Sequence, residues 1–411
     1  MTAQPLSGEE SKVCAAIERR AERMLADLRR YVEIPTGHNH SAGLDEQRGL
    51  VVERLAALGA GAESVPGEAK PDWLLGAGEG PIPPTVVCRS GAARRGEGPR
   101  VLLASHLDTV FAPPPGGKFL SLSVAPGGAT AVGPGVVDMK GGIVIALSAL
   151  EALAEAGIEI PWTYVFNSDE ETGSYHSERA LRAEARRHDI GLATEPALPG
   201  GGIAIERLGS GQFMLEARGS SAHVGRDFEK GVSAVTALAR AIVRCAEIAD
   251  PGAGRLVNIG PISSNDATNV VPDLAKAWGN VRFPTREVCD DIARRIDALA
   301  TAEHAMPGLI VRRSFNRAAK PLTPGTQRLA EDARGAAESL GLSLPFLKTG
   351  GVCDGNILQE EGLPTIDTLG ARGGGLHTHQ EWIELPSLVE RARLLAVLLL
   401  RLRGWRPPDR R

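Results

Sequence analysis

Three short apolar runs in the first half of this chain each pass directly into a polar motif, and helical stretches lie between them. VLLAS (101–105) leads into HLDTV, PWTYVFN (161–167) into SDEETGS, and DIGLA (189–193) into TEP. Short continuous apolar runs suit strands that are covered on both faces. GGIVIALSALEALAEAG (141–157) and the stretch 176–187 separate them with helical character. The alternation predicts a βαβαβ unit, and open α/β sheets of this kind gather their ligands beyond the carboxyl ends of the strands.

The rhythm changes near Gly202. IAIERLGSGQFMLEARG reads as two short strands around a turn. Next come a helix (KGVSAVTALARAIVRCAEIA), strands RLVNIG and LAKAWGNVRF, a helix (TREVCDDIARRIDALATA) and the strand LIVRRSFN. A βαββαβ order predicts a ferredoxin-like α+β unit inserted into the larger α/β domain. After Pro321 the α/β pattern resumes with a helix at 325–340, the glycine-rich TGGVCDG, the strand TIDTLG and a final helix from about Pro386. Upstream, one helix is expected from Ser11 to about Val32, a strand at TVVCR, and a loop across the Gly- and Pro-rich segment 112–137. The expected division is a catalytic domain in two parts, 1–205 and 319–411, around an inserted unit at 206–318; 411 residues exceed one comfortable core.

A net charge of -4 offers no basic footprint, which argues against a nucleic-acid partner. The 5 cysteines are scattered and form no CxxC, as expected of free thiols in a reducing compartment. MTAQPLSGEESKV has neither a basic nor an apolar region of a secretory signal, and LLAVLLL (394–400) is too short to span a bilayer. It reads instead as a C-terminal helix packed on a sheet. A cytoplasmic protein without a membrane partner is the expectation.

His106 and Asp108 stand two apart at the end of a strand, so both side chains can point to one side. Asp108 can then take the second N–H of a metal-binding imidazole and fix its tautomer. Asp138, in GVVDMKGG, offers two carboxylate oxygens and so can bridge two cations. Glu170 and Glu171 are neighbours in SDEETGS; in an extended segment one faces a metal while the other faces water or substrate. Glu170 in the second position is a general base that later serves the leaving amine. Glu195 in ATEP and His377 in GLHTHQEW complete the set. His379 competes with His377, whose preference rests on the preceding glycines and on Glu381. Taken singly, each motif also reads as a turn aspartate, a helix cap, a solvated acidic turn or a surface histidine. Taken together, the nitrogen and oxygen donors suit zinc, with cobalt or manganese as substitutes. No GxSxG elbow or phosphate-binding glycine loop competes.

In this order, from about Leu28 to Leu400, the motifs resemble the aminoacylase/carboxypeptidase family of di-zinc exopeptidases. The family includes bacterial glutamate carboxypeptidase, aminoacylase, acetylornithine deacetylase and succinyl-diaminopimelate desuccinylase. The resemblance implies a zinc-exopeptidase-like mixed sheet covered by helices, an inserted lid and dimerisation domain, and two Zn2+ per subunit. It implies His106 and Glu195 on one zinc, Glu171 and His377 on the other, Asp138 bridging, Glu170 as base, Asp108 orienting His106, and a cis peptide after Asp138. SSAHVG is similar to the family's SAHAG segment, which implies that His223 stabilises the oxyanion, often in the neighbouring subunit of a homodimer. TNVVPD and GNVRF imply that Asn269 and Arg282 bind the substrate carboxylate, and TGGVCDG places Gly350 and Gly351 beside the substrate. Two positions depart from the pattern: Cys353 replaces a Ser or Thr, and Lys320-Pro321 replaces Arg-Pro. Both are expected near a substrate side chain.

The implied reaction is hydrolysis of an amide next to a free carboxylate, on a small peptide or acylated amino acid. A glutamate-carboxypeptidase-like exopeptidase is the first expectation and an N-acyl-amino-acid deacylase the second. An N-carbamoyl-amino-acid amidohydrolase generally has histidine where Glu195 stands. A carboxylate-binding protein without catalysis is the alternative from another class.

Overall fold

The apolar runs form the middle of a mixed six-stranded sheet in the computed structural model, which describes residues 4–37, 40–75, 81–116 and 118–406. Its order is Gly61–Val65, Thr85–Arg89, Trp162–Asn167, Val101–His106, Ile190–Ala193, Thr365–Ile366. The first two junctions are antiparallel and the other three parallel. Period-two alternation divides each central strand between two cores. Val101 and Leu103 join the core that holds helices Gly141–Glu155 and Pro386–Arg401, whereas Leu102 and Ala104 face Leu181 and Ile357 of helices Glu178–Arg187 and Asp354–Glu360. Burying one such leucine or valine stabilises the fold by about 1.5–3 kcal/mol, which is why these runs are mostly apolar.

The LLAVLLL run lies in the helix Pro386–Arg401, packed on Gly141–Glu155. Among the described residues no helix is long and apolar enough to cross a membrane. All five cysteines are free and buried.

Three local expectations need correction. The opening helix is two, Gly8–Glu18 and Ala21–Val32. The first begins at a capping box between Ser7 and Glu10. The turn at Arg19–Arg20 brings both guanidinium groups onto Glu155, and Arg20 onto Glu151 as well. The loop at 112–137 contains strands Ser123–Val124 and Thr130–Val132, which pair on through Trp382–Glu384 to Gly373–Gly374. They tie the Asp138 loop to the histidine motif. Finally, Ile203–Arg207 and Gly209–Arg218 are not a hairpin. The former pairs in parallel with Phe346–Thr349, and the latter enters a second sheet. Both strands have the right composition, but their partners lie far away in the chain.

That second sheet is antiparallel, in the order Leu256–Ser264, Leu274–Phe283, Gly209–Arg218, Gly308–Arg317. The arrangement is ferredoxin-like, with helices Ala234–Ala246 and Arg286–Asp297 supplying the rest of a core that includes Phe213, Leu215, Leu238 and Ile292. The chain enters and leaves this unit side by side. Arg207 N–H donates to the Lys320 carbonyl at 2.9 Å, and Lys320 N–H donates back to the Arg207 carbonyl at 3.0 Å. Asp367 lies 2.7 Å from Arg207 Nη2 and 3.4 Å from Lys320 Nζ. Lys320 is fully buried and also donates to the Ala204 carbonyl at 3.0 Å. It holds the crossing together and does not line the cavity beside Arg282 and Gly351.

Candidate metal centre

His106 is the last residue of its strand, and its ring is held from one side. Nδ1–H donates to the Asp108 carbonyl at 2.9 Å, which leaves Nε2 3.2 Å from Asp138 Oδ1 and 3.7 Å from Glu195 Oε2. On the other side of Asp138, its Oδ2 lies 3.4 Å from His377 Nε2, which is 3.1 Å from Glu171 Oε2. Two sets of three donors result, His106–Asp138–Glu195 and Asp138–Glu171–His377, each with its ligand atoms within 4.8 Å of one another. Asp138 belongs to both. His379 instead sets its ring 6.0 Å from that of Phe111, outside both sets.

The Asp138–Met139 peptide is cis. Glu381 fixes the loop around it: Oε1 accepts the N–H groups of Val137 and Asp138 at 2.9 and 3.0 Å, and Oε2 that of Gly135 at 3.2 Å. Gly135 has φ +65, and a Cβ there would meet Thr109 Cγ2 at 2.4 Å, so the loop requires glycine. Asp108 does more than touch His106. Its carboxylate accepts the N–H groups of Glu170 at 3.1 Å and Glu171 at 2.9 Å, holding them in a turn and not in the extended segment expected, with both side chains lining one cavity. Nothing in the local sequence announces this use of Asp108, or that of Glu381, because the partners are brought together only by the sheet.

Burial pushes Glu195 up from the ordinary carboxylate range and Glu171 up to about 8. Burial acts the same way on Asp138, but hydrogen bonds with His106 and His377 override it and hold this carboxyl well below its usual value. At His106 burial opposes the charged ring, while Asp108, Asp138 and Glu195 raise it. Hydrogen bonds to Asp138 and Glu171 carry His377 up to about 10. Burial and the mutual contacts of three carboxylates with two imidazoles produce these shifts, and carboxylates packed together out of water favour positive charge beside them. Divalent cations would satisfy that demand with both imidazoles neutral, so the donor set fits such ions in number and in chemistry.

Glu170 faces the same space without belonging to either set. Burial raises its pKa and Arg317 opposes the rise. Arg317, on the last strand of the second sheet, places Nη2 2.8 Å from Glu170 Oε1 and donates to the Glu170 carbonyl at 2.8 Å and to Ser174 Oγ at 2.6 Å. Sequence reasoning missed it.

Asp138, Glu170, Glu171, Glu195 and His377 line a cavity of about 570 Å³ that Arg282 and Gly351 also enter. Arg282 Nη1 is buried without a hydrogen-bond partner, and among the described residues no carboxylate lies within 4.0 Å of this side chain. Cys353 lines the cavity too, but its Sγ accepts the Gly355 N–H at 3.3 Å and caps the helix Asp354–Glu360, and burial raises its pKa. Gly350, His223 and Asn269 are exposed and do not line this cavity. His223 and Asn269 are nevertheless neighbours: Val224 N–H donates to the Asn269 carbonyl at 3.0 Å, beside the short ribbon of Ala222–His223 and Val270–Val271.

The model of peptidase family M20/M25/M40 matches residues 102–401. The chain is similar to carboxypeptidase G2 of Pseudomonas sp. (strain RS-16), 28% identical over 311 residues that cover 74% of each protein. It is also 28% identical over 331 residues to succinyl-diaminopimelate desuccinylase 2 of Shewanella loihica, covering 74% of this chain and 85% of that one. Among solved structures, a tripeptidase from Staphylococcus aureus superposes with a TM-score of 0.73 at 22% identity, over 93% of this chain and 99% of that chain, and so shares the fold.

Proposed function

Because this chain belongs to peptidase family M20/M25/M40, a family of metal-dependent hydrolases, we propose that it uses two zinc ions to cleave an amide bond next to a free carboxylate, as a carboxypeptidase-like exopeptidase. One observation carries the proposal: two three-donor sets share Asp138 at the wall of a cavity that also holds an unmatched arginine. His106 and Glu195 would hold one ion, Glu171 and His377 the other, and Asp138 both. When bound, the ions polarise the amide carbonyl and acidify water.

Glu170 accepts the proton of the attacking water at its carboxylate and passes it to the leaving amine. Its backbone is held by Asp108 and Arg317, so the carboxylate has little freedom to turn away. Arg282 receives the substrate carboxylate through the planar fork of its guanidinium, which a lysine would not reproduce. Gly351 lets the substrate pass close to the backbone, with Gly350 beside it.

His223 donates to the developing oxyanion, and Asn269 assists at the carboxylate. Both are exposed on the 206–318 unit, which in this proposal is a lid and dimerisation domain between the catalytic segments 1–205 and 319–411. They therefore serve the cavity of a second copy, in a homodimer. Two features support dimerisation. Leu256–Ser264 is an edge strand, and Ile262 on it and Val243 on the adjoining helix are exposed at 62% and 59%. A cytoplasmic location accords with five unpaired, buried thiols.

One relative is named a carboxypeptidase and another a succinyl-diaminopimelate desuccinylase, so both readings of the bond are tested. Steady-state rates on acyl-glutamates, dipeptides, acetyl amino acids and succinyl-diaminopimelate, measured together with metal content, decide between exopeptidase and deacylase. Two metal ions per chain with undiminished hydrolysis by Glu170→Gln would overturn the assignment of the base.

A further inference from the structure

We propose that a second cavity, beside Gly200 and away from the residues of the metal centre, binds a small oxyanion, either a phosphate or a carboxylate. The cavity measures about 270 Å³ and is lined by Gly200, Leu342, Ser343, Arg372 and Arg391. Among the described residues three arginines are buried: Arg207, Arg317 and Arg391, at 8%, 6% and 3% exposure. Asp367 stands 2.7 Å from Arg207 and Glu170 stands 2.8 Å from Arg317. Arg391, the most buried of the three, has no carboxylate within 4.0 Å among the described residues. Its Nη2 donates to the Gly201 carbonyl, and its Nε is buried without a partner.

The nearby acids are already engaged. Glu384 and Glu390 accept from Arg372 Nε and Nη1 at 2.5 and 2.6 Å. Burial first, and then the charge of Arg372, draw Arg391 down to about 10. A buried cation without a counter-ion is costly, and an apolar side chain of the same length would fill the space without that cost. An arginine in this position instead offers a planar fork to an anion that arrives from solution. Ser343 is exposed at the rim and adds a hydroxyl donor. Arg282 in the first cavity has the same signature, an arginine with a buried nitrogen unpartnered and no acid beside it.

An anion here would touch two segments that lead to metal-centre residues. Gly200 lies five positions after Glu195, and Arg372 lies five before His377. The two segments are already joined where Ala197 N–H donates to the Ala371 carbonyl at 3.0 Å and Gly370 N–H to the Glu195 carbonyl at 2.9 Å. Occupancy would brace that junction.

The test is thermal unfolding of the full metal-loaded chain carrying Arg282→Gln, which removes the carboxylate fork of the first cavity, titrated with inorganic phosphate and, separately, with succinate. A saturable rise of about 2 °C at tenfold excess over the dissociation constant is expected with at least one anion. Response to phosphate alone assigns a phosphoryl ligand, and response to succinate alone a carboxylate. Arg391→Gln should abolish the rise. Ser343→Glu, which supplies a tethered carboxylate at the exposed rim, should also abolish it and decides the matter if Arg391→Gln does not fold. No rise with either anion, or a rise retained in the folded variant, overturns the site, because the anion then binds elsewhere. The measurement is of binding and stands or falls separately from the hydrolytic activity.

Discussion

The carboxyl end of the six-stranded sheet and the His223 ribbon of the second sheet are built to different standards. At the sheet end, His106, Asp138, Glu170 and Glu195 are buried, and backbone bonds to Asp108 and Glu381 fix the loops that carry them. At the ribbon, His223 and Asn269 are exposed and joined by a few backbone bonds. A metal centre gains from donors that are fixed before the ion arrives. An oxyanion donor that serves a second copy must instead present itself at a surface. Substitutions at the sheet end should therefore alter the chemistry or the metal, and those at the ribbon should lower turnover while sparing the metal.

Glu170→Gln gives the largest expected effect, a fall in kcat of about 10³–10⁴-fold with metal content unchanged, checked by turnover alongside elemental analysis. His223→Ala should lower kcat about 10²–10³-fold and keep both metals. Loss of metal in this variant would erase the distinction between the two regions. Glu381→Gln should weaken metal affinity or activity about 10–100-fold through the Asp138 loop alone, measured by competition with a chelator. The smallest effect is expected from Ile262→Asp on the edge strand, which should weaken the dimer about tenfold. Sedimentation reads that shift, and specific activity should then fall on dilution. Activity independent of concentration in a monomeric variant would place His223 in its own subunit's site or in none.

Much of the sheet end was legible in the sequence because strand, motif and ligand are contiguous there. VLLAS ends at His106, and the period-two burial of the strand sets where its last side chain points. Asp138, Glu171, Glu195 and His377 follow from motif chemistry, and the structure groups them with His106. Less legible were residues whose work depends on distant partners. Glu381 reaches loop atoms some 243–246 positions away, and Arg317 reaches a carboxylate 147 positions away from another sheet. Lys320 and Cys353 drew attention as unusual residues near a substrate. One is buried in a crossing and the other caps a helix, so at both positions composition pointed to the region and three-dimensional contacts set the use.

The paired crossing at Arg207 and Lys320 has a mechanical consequence. Two chain segments bonded edge to edge, with both side chains gripped by Asp367, are fastened to each other where the chain enters and leaves the second sheet. Arg207 Nη1 also donates to the Gly351 carbonyl at 3.1 Å, so the same crossing is fastened to the wall of the cavity. A displacement of the crossing would register at Gly351, which lines the cavity.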